Sequence, residues 1–529
     1  MIHTVAIGLL LFTGDRPAEL RATITVRGDR PALGEVNRLV FGQNQVAYDP
    51  ASYAKQPSHT LFSNYGAGLW DPTRRAPRSE LIELARQAGM TTARFPGGCG
   101  THRYDWKQTI GDPAARPRWQ FGVDEFLRWC EAAACEPVIT LSYFAGPESA
   151  ADLVEYVRAP ADGRNPRGDV DWAARRAANG RRQPYRVRFF EVGNEDYHGD
   201  HRDVKQVTAA DYAAQFAEFA RVMREVDPTV AIGAIGDDDS WNREVLSHVG
   251  RDIGFLVEHT YWPGWYNRND GKPPADQLFR DILACPDQIR ARYDSLARLL
   301  DETTGRPNRV PIAVTEYNCP LVQNRPAPYR HSLGNALFTA EMLRVLTQSG
   351  DRVLMAHFWQ FANEFWGAVR GPERPYESGQ WIRRPQFYPF QLYAEHFERH
   401  LVSTEVDCPR YETAGFGQML PCRDGSSDSA PAVPYLSVNA SRSSDGRRQT
   451  AIIVNKHLDQ PIETSIRPLG LTGLAAAEAW CLTGPSVTSN NETDPLTVTI
   501  RPHSVDWRGG ELLISLPPCS CTAVVIETR

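Results

Sequence analysis

From about residue 36 to residue 400 the chain repeats one pattern: a short apolar run, then a segment of helical periodicity. The apolar runs at 39–41, 91–95, 137–141, 185–192, 230–234, 255–259, 310–315 and 353–358 are rich in Val, Ile, Phe and Leu and close on polar or turn residues, so they predict eight strands. Between them, 79–88, 122–134, 210–225, 286–302 and 332–348 carry apolar residues at helical spacing; in 122–134 these are Val123, Phe126, Leu127 and Cys130. A β-then-α order repeated this way implies parallel strands. A doubly wound open sheet and a closed barrel both satisfy the order. Polar groups recur just after the strands, which is where barrel enzymes build their sites, and this favours an α/β fold of the (β/α)8 TIM-barrel type.

After a last helix at 390–400 the pattern changes. Short β-prone runs at 435–439, 450–454, 476–482, 495–500 and 511–516 are separated by turns rich in Gly, Pro, Ser and Asn, and 422–434 is a loop. This tail reads as an all-β sandwich. The β-prone segment 22–26 is placed to join it. The expected organisation is therefore an N-terminal segment over 1–35, a catalytic barrel over 36–400 and a C-terminal β-sandwich over 401–529. The apolar stretch Val5 to Phe12 is short and lacks a basic lead, so a weak signal peptide and a buried strand stay open for it. An extracellular location is favoured over a cytoplasmic one.

Composition narrows the function classes. Of 529 residues, 42% are hydrophobic and 23% charged, an ordinary globular balance. A net charge of -6 with no basic stripe argues against nucleic acid as a partner. No run is long and apolar enough to span a bilayer, so no membrane partner is expected. The 13 Trp, 19 Tyr and 21 Phe are mostly core mass, yet they also suit the flat faces of sugars. The ten cysteines show no paired zinc pattern, and both free thiols and disulfides are compatible with their spacing. There is no Walker loop, dinucleotide fingerprint or HExxH, so neither a metal nor a cofactor is expected.

Two strand ends carry the chemistry. Phe189-Phe190-Glu191-Val192-Gly193 delivers Asn194 and Glu195, and Ile312-Ala313-Val314-Thr315 delivers Glu316. On the fourth and seventh strands of a barrel these glutamates can face each other across the mouth. Retaining glycoside hydrolysis needs two carboxyl groups about 5–5.5 Å apart. In that reading Glu195 starts with a proton and serves as general acid/base, and Glu316 starts ionised as the nucleophile. Arg94, ending the second strand, is placed to brace Glu316. Asn194 can bond a sugar hydroxyl, Tyr261 the nucleophile, and His259 the sugar or Glu195. Trp359 and Gln360 end the eighth strand, where Trp359 can floor the sugar site. Trp106, in Tyr104-Asp105-Trp106, is expected to line the cleft, and Trp262, Trp265, Phe365 and Trp366 to flank it.

With those residues in view, the chain resembles glycoside hydrolase family 51, the α-L-arabinofuranosidases of a large clan of retaining barrels. The resemblance rests on RFPGG at 94–98, YDW at 104–106, IGDPAARP at 110–117, FFEVGNE at 189–195, VTEYN at 314–318, FQLYAEHF at 390–397, LTGPSVTSN at 482–490 and LPPCS at 516–520. It implies a barrel followed by a β-sandwich and hydrolysis through a covalent glycosyl-enzyme without a metal. It matches Asn194 and Glu195 to the acid/base pair and Glu316 to the nucleophile. Two positions depart from the pattern. The family's G-x-F-x-E-H stretch reads Gly42-Gln43-Asn44-Gln45-Val46-Ala47, without the glutamate, and the Asn that commonly follows PGG is Cys99. Both places touch the sugar in the family. The expected function is an α-L-arabinofuranosidase acting on arabinose-containing polysaccharide or oligosaccharide. An endo-acting β-glucanase or xylanase of the same clan, and a non-catalytic carbohydrate-binding protein on a degenerate barrel, are the alternatives. A homo-oligomer is compatible with the sequence.

Overall fold

The computed structural model describes residues 19–45, 67–71, 73–116, 121–165, 167–199, 206–262, 266–267, 274–307, 309–319, 321–322, 327–363, 365–371, 380–413, 432–471 and 473–528. The apolar stretch near the N-terminus, Trp265, Val46 and Ala47 lie outside them.

Eight parallel strands close into a barrel: β1 (Gly42–Asn44), β2 (Thr92–Phe95), β3 (Glu136–Leu141), β4 (Phe189–Val192), β5 (Ala231–Ile235), β6 (Phe255–Thr260), β7 (Ile312–Tyr317) and β8 (Val353–Phe358). They pair in chain order and β8 returns to β1, so the open doubly wound sheet is excluded. The strands are buried almost throughout, as expected for a parallel sheet covered by helices. The helices form where the periodicity placed them, among them Ser79–Gln87, Val123–Ala133, Ala209–Val226, Cys285–Thr304 and Leu333–Gln348. Side chains start several of them: Thr208 accepts from Asp211 N–H at 3.1 Å and Ser332 from Asn335 N–H at 3.3 Å.

In the barrel, the first strand differs from the sequence reading. The apolar residues at 39–41 make a 3₁₀ turn, Arg38–Val40, and β1 begins at Gly42. Its Asn44 side chain turns into the barrel and donates to Thr315 O at 2.7 Å.

Beyond the helix Phe387–His396 the chain forms two antiparallel-rich sheets, one of five strands and one of seven. Leu20–Arg27 lies inside the five-stranded sheet, parallel to Ile462–Leu469 and antiparallel to Thr404–Asp407. The strand Ser520–Thr528 shows how the sandwich meets the barrel. Val524 and Ile526 enter the core between the two sheets, whereas Cys521 and Ala523 join the hydrophobic core that runs on into the barrel. Alternation of side chains along one strand thus serves two cores. A buried ionic cluster spans the same boundary. Glu341, on the helix Leu333–Gln348, accepts from Arg344 Nη2 at 2.8 Å and lies 3.7 Å from Nζ of Lys456 in the sandwich. No described helix is long and apolar enough to cross a membrane. The nine described cysteines are free thiols.

Candidate active site

At the C-terminal ends of the strands, polar side chains from β1, β2, β4, β6 and β7 converge. Arg94 on β2 is fully buried and commits all five N–H donors. Nε donates to Glu191 Oε1 at 2.7 Å and Nη2 donates to the same oxygen. Nη2 also donates to Asn194 Oδ1 at 2.7 Å. Nη1 donates to Asn44 Oδ1 at 3.0 Å and to Glu316 Oε1 at 2.8 Å. The other oxygen of Glu316 accepts from the Tyr261 hydroxyl at 2.6 Å. Both oxygens of this buried carboxylate are therefore oriented, which fixes where either one points.

Glu195 is held differently. Its Oε1 pairs with His259 Nδ1 at 2.8 Å, and Cys99 Sγ lies 3.6 Å from Oε2. Its side chain keeps 18% of its surface exposed. His259 Nδ1 is also 3.7 Å from Glu316 Oε2. One oxygen from each glutamate and a His259 nitrogen all fall within 4.8 Å of one another. That is the short separation of a retaining carboxyl pair. Imidazole and carboxylate donors at this spacing also suit a divalent cation, which would compete with a substrate for the same atoms.

Local backbone puts these groups in place. The register between β6 and β7 slips by one residue, so Glu258 faces Val314 but His259 faces Glu316. Such a bulge re-aims side chains, and here it sets the imidazole beside the carboxylate. Glu195 itself has φ 54°, a left-handed conformation uncommon for a residue with a side chain. Gly193, at φ 87°, makes the turn before it, and a Cβ there would lie 1.7 Å from Asp196 Oδ2. His102 Nε2 sits 2.8 Å from Asn194 O, and Tyr212 donates to Val192 O at 2.7 Å, so the turn is tied on both sides.

The electrostatics follow from burial among carboxylates. Burial opposes charge on His259, but Glu316 and the hydrogen bond to Glu195 outweigh it and raise its pKa above 6.5. Burial likewise opposes charge on Arg94, and the Glu191 and Glu316 carboxylates more than reverse this, so it stays a cation. Burial and the neighbouring glutamates push the Cys99 thiol and the Tyr261 phenol well up, keeping both protonated as donors. Asp196 is pushed up to about 8 by burial and by Glu195 and Glu191, against the backbone hydrogen bond from Asn194.

Of the residues singled out in the sequence, Arg94, Asn194, Glu195, His259, Tyr261 and Glu316 form this one connected cluster. Trp359 is half-buried over the Pro96-Gly97-Gly98 turn, where a Cβ on Gly98 would meet its ring at 2.6 Å. Gln360 is buried beside it. Trp106 is not brought to the cluster. Its indole is buried against Trp172 and Tyr156, and its N–H donates to Ser149 O at 3.1 Å. It is a wall residue, because its ring faces the surrounding helices. Sequence reasoning missed Glu191, His102 and the inward role of Asn44. The one signal for Glu191 was a carboxylate set between Phe190 and Val192 in an apolar strand, because a buried acid needs a buried partner.

Comparison with known proteins agrees with this geometry. Residues 85–262 match the family model described as "Alpha-L-arabinofuranosidase 1 domain" and residues 315–520 the one described as "Alpha-L-arabinofuranosidase C-terminal domain". The chain is 24% identical to an exo-alpha-(1->6)-L-arabinofuranosidase of Bifidobacterium longum over 97% of its own length and 99% of that protein's. It is also 24% identical to an intracellular exo-alpha-(1->5)-L-arabinofuranosidase of Bacillus subtilis, covering 89% and 92%. In three dimensions it is similar to the α-L-arabinofuranosidase of Thermotoga maritima solved as an arabinose complex, with a TM-score of 0.76, 25% identity and coverage of 96% and 100%. Both halves of the chain, the closed barrel and the sandwich thus point the same way, and the chain belongs to glycoside hydrolase family 51, the α-L-arabinofuranosidase family.

Proposed function

We propose that this protein releases terminal α-L-arabinofuranose from polysaccharide or oligosaccharide by retaining double displacement, with Glu316 as nucleophile and Glu195 as acid/base. The observation that carries the assignment of roles is the unequal support of two carboxyl groups only 4.8 Å or less apart. Glu316 is pinned at both oxygens by a permanent cation and a phenol, which suits an ionised group that must attack along one line. Glu195 pairs with His259 and is open to the mouth, which suits a group that gives and takes a proton.

In the first step a Glu316 oxygen forms a bond to the anomeric carbon while the bond to the leaving oxygen breaks, and that oxygen takes the Glu195 proton. Glu316 becomes an ester. Its charge no longer faces Glu195, so the latter can remain ionised as a base. In the second step Glu195 removes a proton from water, the water oxygen bonds to the anomeric carbon, and the ester bond breaks. Arabinose leaves with retained configuration, and both glutamates return to their starting states.

The exo mode is supported by the exo activities for which the two relatives above are named. The test is a panel of nitrophenyl glycosides and plant polymers with product lengths resolved. Arabinose as the sole product supports the proposal. Mixed oligosaccharides from glucan or xylan would overturn it in favour of an endo-acting enzyme. Glu316→Ala should abolish turnover, with azide restoring it as a glycosyl azide. A wild-type protein that turns over no glycoside would leave the binding-protein reading standing.

A further inference from the structure

Glu191 has no place in the double displacement, yet it is a fully buried acid beside the reaction. It sits on β4 four residues before Glu195, with no solvent exposure. Its Oε1 accepts from two N–H groups of Arg94, Nε at 2.7 Å and Nη2, and from the Thr140 O–H at 3.1 Å. Its Oε2 has no hydrogen-bond partner. Leaving a buried carboxylate oxygen bare is costly. The group is therefore held there for its charge on Arg94.

Arg94 is shared. One edge of its guanidinium faces Glu191, and Nη1 alone reaches Glu316. This matters because the charge on Glu316 is consumed when it becomes an ester. Were Glu316 the only partner, each cycle would strand a fully buried cation without a counter-ion, which is strongly unfavourable. The other two partners, Asn44 and Asn194, are neutral amides and cannot replace it.

We propose that Glu191 is a positioning residue that acts through Arg94: it is the permanent counter-ion that lets Glu316 surrender its charge to the sugar and regain it. The same carboxylate divides the guanidinium's pull, so Arg94 orients Glu316 without holding it too tightly to attack. The inference rests on the assignment of Glu316 as nucleophile.

The test is Glu191→Gln, which keeps shape and removes the charge, assayed on a nitrophenyl glycoside that the wild type cleaves. Arg94 then pairs with Glu316 alone. Formation of the glycosyl-enzyme should slow by about 10–100-fold, the range for disturbing a charge-assisted hydrogen bond to a reacting group. Its hydrolysis should not slow, because that step restores the Glu316 charge. The pre-steady-state burst of nitrophenol should shrink, and the acid limb of kcat/KM should move to lower pH. A packing defect would slow both steps and leave the limb in place. Glu191→Asp, which returns the charge about one methylene further off, should fall between wild type and Glu191→Gln in burst and limb; if Glu191→Gln does not fold, this variant alone decides, an unmoved limb and burst overturning the proposal. An active wild type with Glu191→Gln unchanged, or slowed equally in both steps, overturns this proposal and leaves the enzymatic reading intact. A wild type that cleaves no glycoside overturns both.

Discussion

Tyr261 donates to Glu316 across 2.6 Å, on the carboxylate oxygen opposite the one that Arg94 holds. A hydrogen bond to a charged acceptor is worth about 1.5–3 kcal/mol. Tyr261→Phe removes it without opening a cavity. Because the bond orients the nucleophile, kcat/KM should fall by about 10–100-fold, the equivalent of that energy. Steady-state kinetics on a nitrophenyl glycoside check this, and unaltered kinetics would show that Arg94 alone fixes the carboxylate.

His259 couples the site to pH. Its pKa lies above the unfolded value of 6.5, since the carboxylates outweigh burial. A raised folded pKa means that the native state binds the proton more tightly than the unfolded chain does. The stabilisation is fully present below the unfolded pKa and is lost as pH rises through the folded one. His259→Asn should therefore lower the thermal midpoint more at pH 6 than at pH 9. Equal losses at the two pH values would mean that the imidazole carries no charge against Glu195 and Glu316.

Gly193 is the hinge on which Glu195 turns. It has φ 87°, and a methyl group there would run into Asp196, whose carboxylate folds back beneath the turn. Gly193→Ala combines an unfavourable backbone conformation, about 1–3 kcal/mol, with that clash. Asp196 or Glu195 must move, and a displacement of about 1 Å at a reacting group costs on the order of 100-fold in rate. The expected result is a protein that still folds, melts earlier and loses most of its kcat. A variant with wild-type kcat would show that the turn tolerates a second conformation.

What the sequence reveals of this site depends on how local each residue's task is. Glu195, Glu316, Arg94, His259 and Tyr261 stand at or just past strand ends, and the barrel's geometry alone brings such positions together. Glu191 is different. A carboxylate inside Phe-Phe-Glu-Val reads as an interruption of an apolar strand until its partner Arg94, 97 residues away, is known to sit opposite it. Asn44 hides for the same reason: β1 is polar in sequence, Gly42-Gln43-Asn44, and the partners of Asn44, Thr315 O and the Arg94 guanidinium, come from strands distant in the chain. The apolar Leu39 and Val40 just before it attract the strand assignment and form a 3₁₀ turn. Trp106 shows the converse, for aromatic character cannot say which side of a wall a ring faces. In the sandwich, Ile462–Leu469 escaped because Glu463 and Arg467 lie on the face turned away from the core, where charge is no bar to a strand.

The junction between barrel and sandwich offers a test that does not involve the site. Glu341 is fully buried, and two cations, Arg344 at 2.8 Å and Lys456 at 3.7 Å, depend on it, together with the Ser437 hydroxyl. Glu341→Ala leaves both cations buried side by side with no anion between them, although Arg344 keeps Asp287 at 2.8 Å. Breaking a buried pair by removing one partner costs about 3–5 kcal/mol. The thermal midpoint should drop accordingly, whereas kcat well below that midpoint should hold, since Arg344, Lys456 and Ser437, which Glu341 holds, belong to the junction and not to the catalytic cluster. Lys456→Met removes a cation instead and fills the same space with apolar atoms, so it should cost much less. If the two variants melt alike, the cluster acts through packing, and charge is not what ties the sandwich to the barrel.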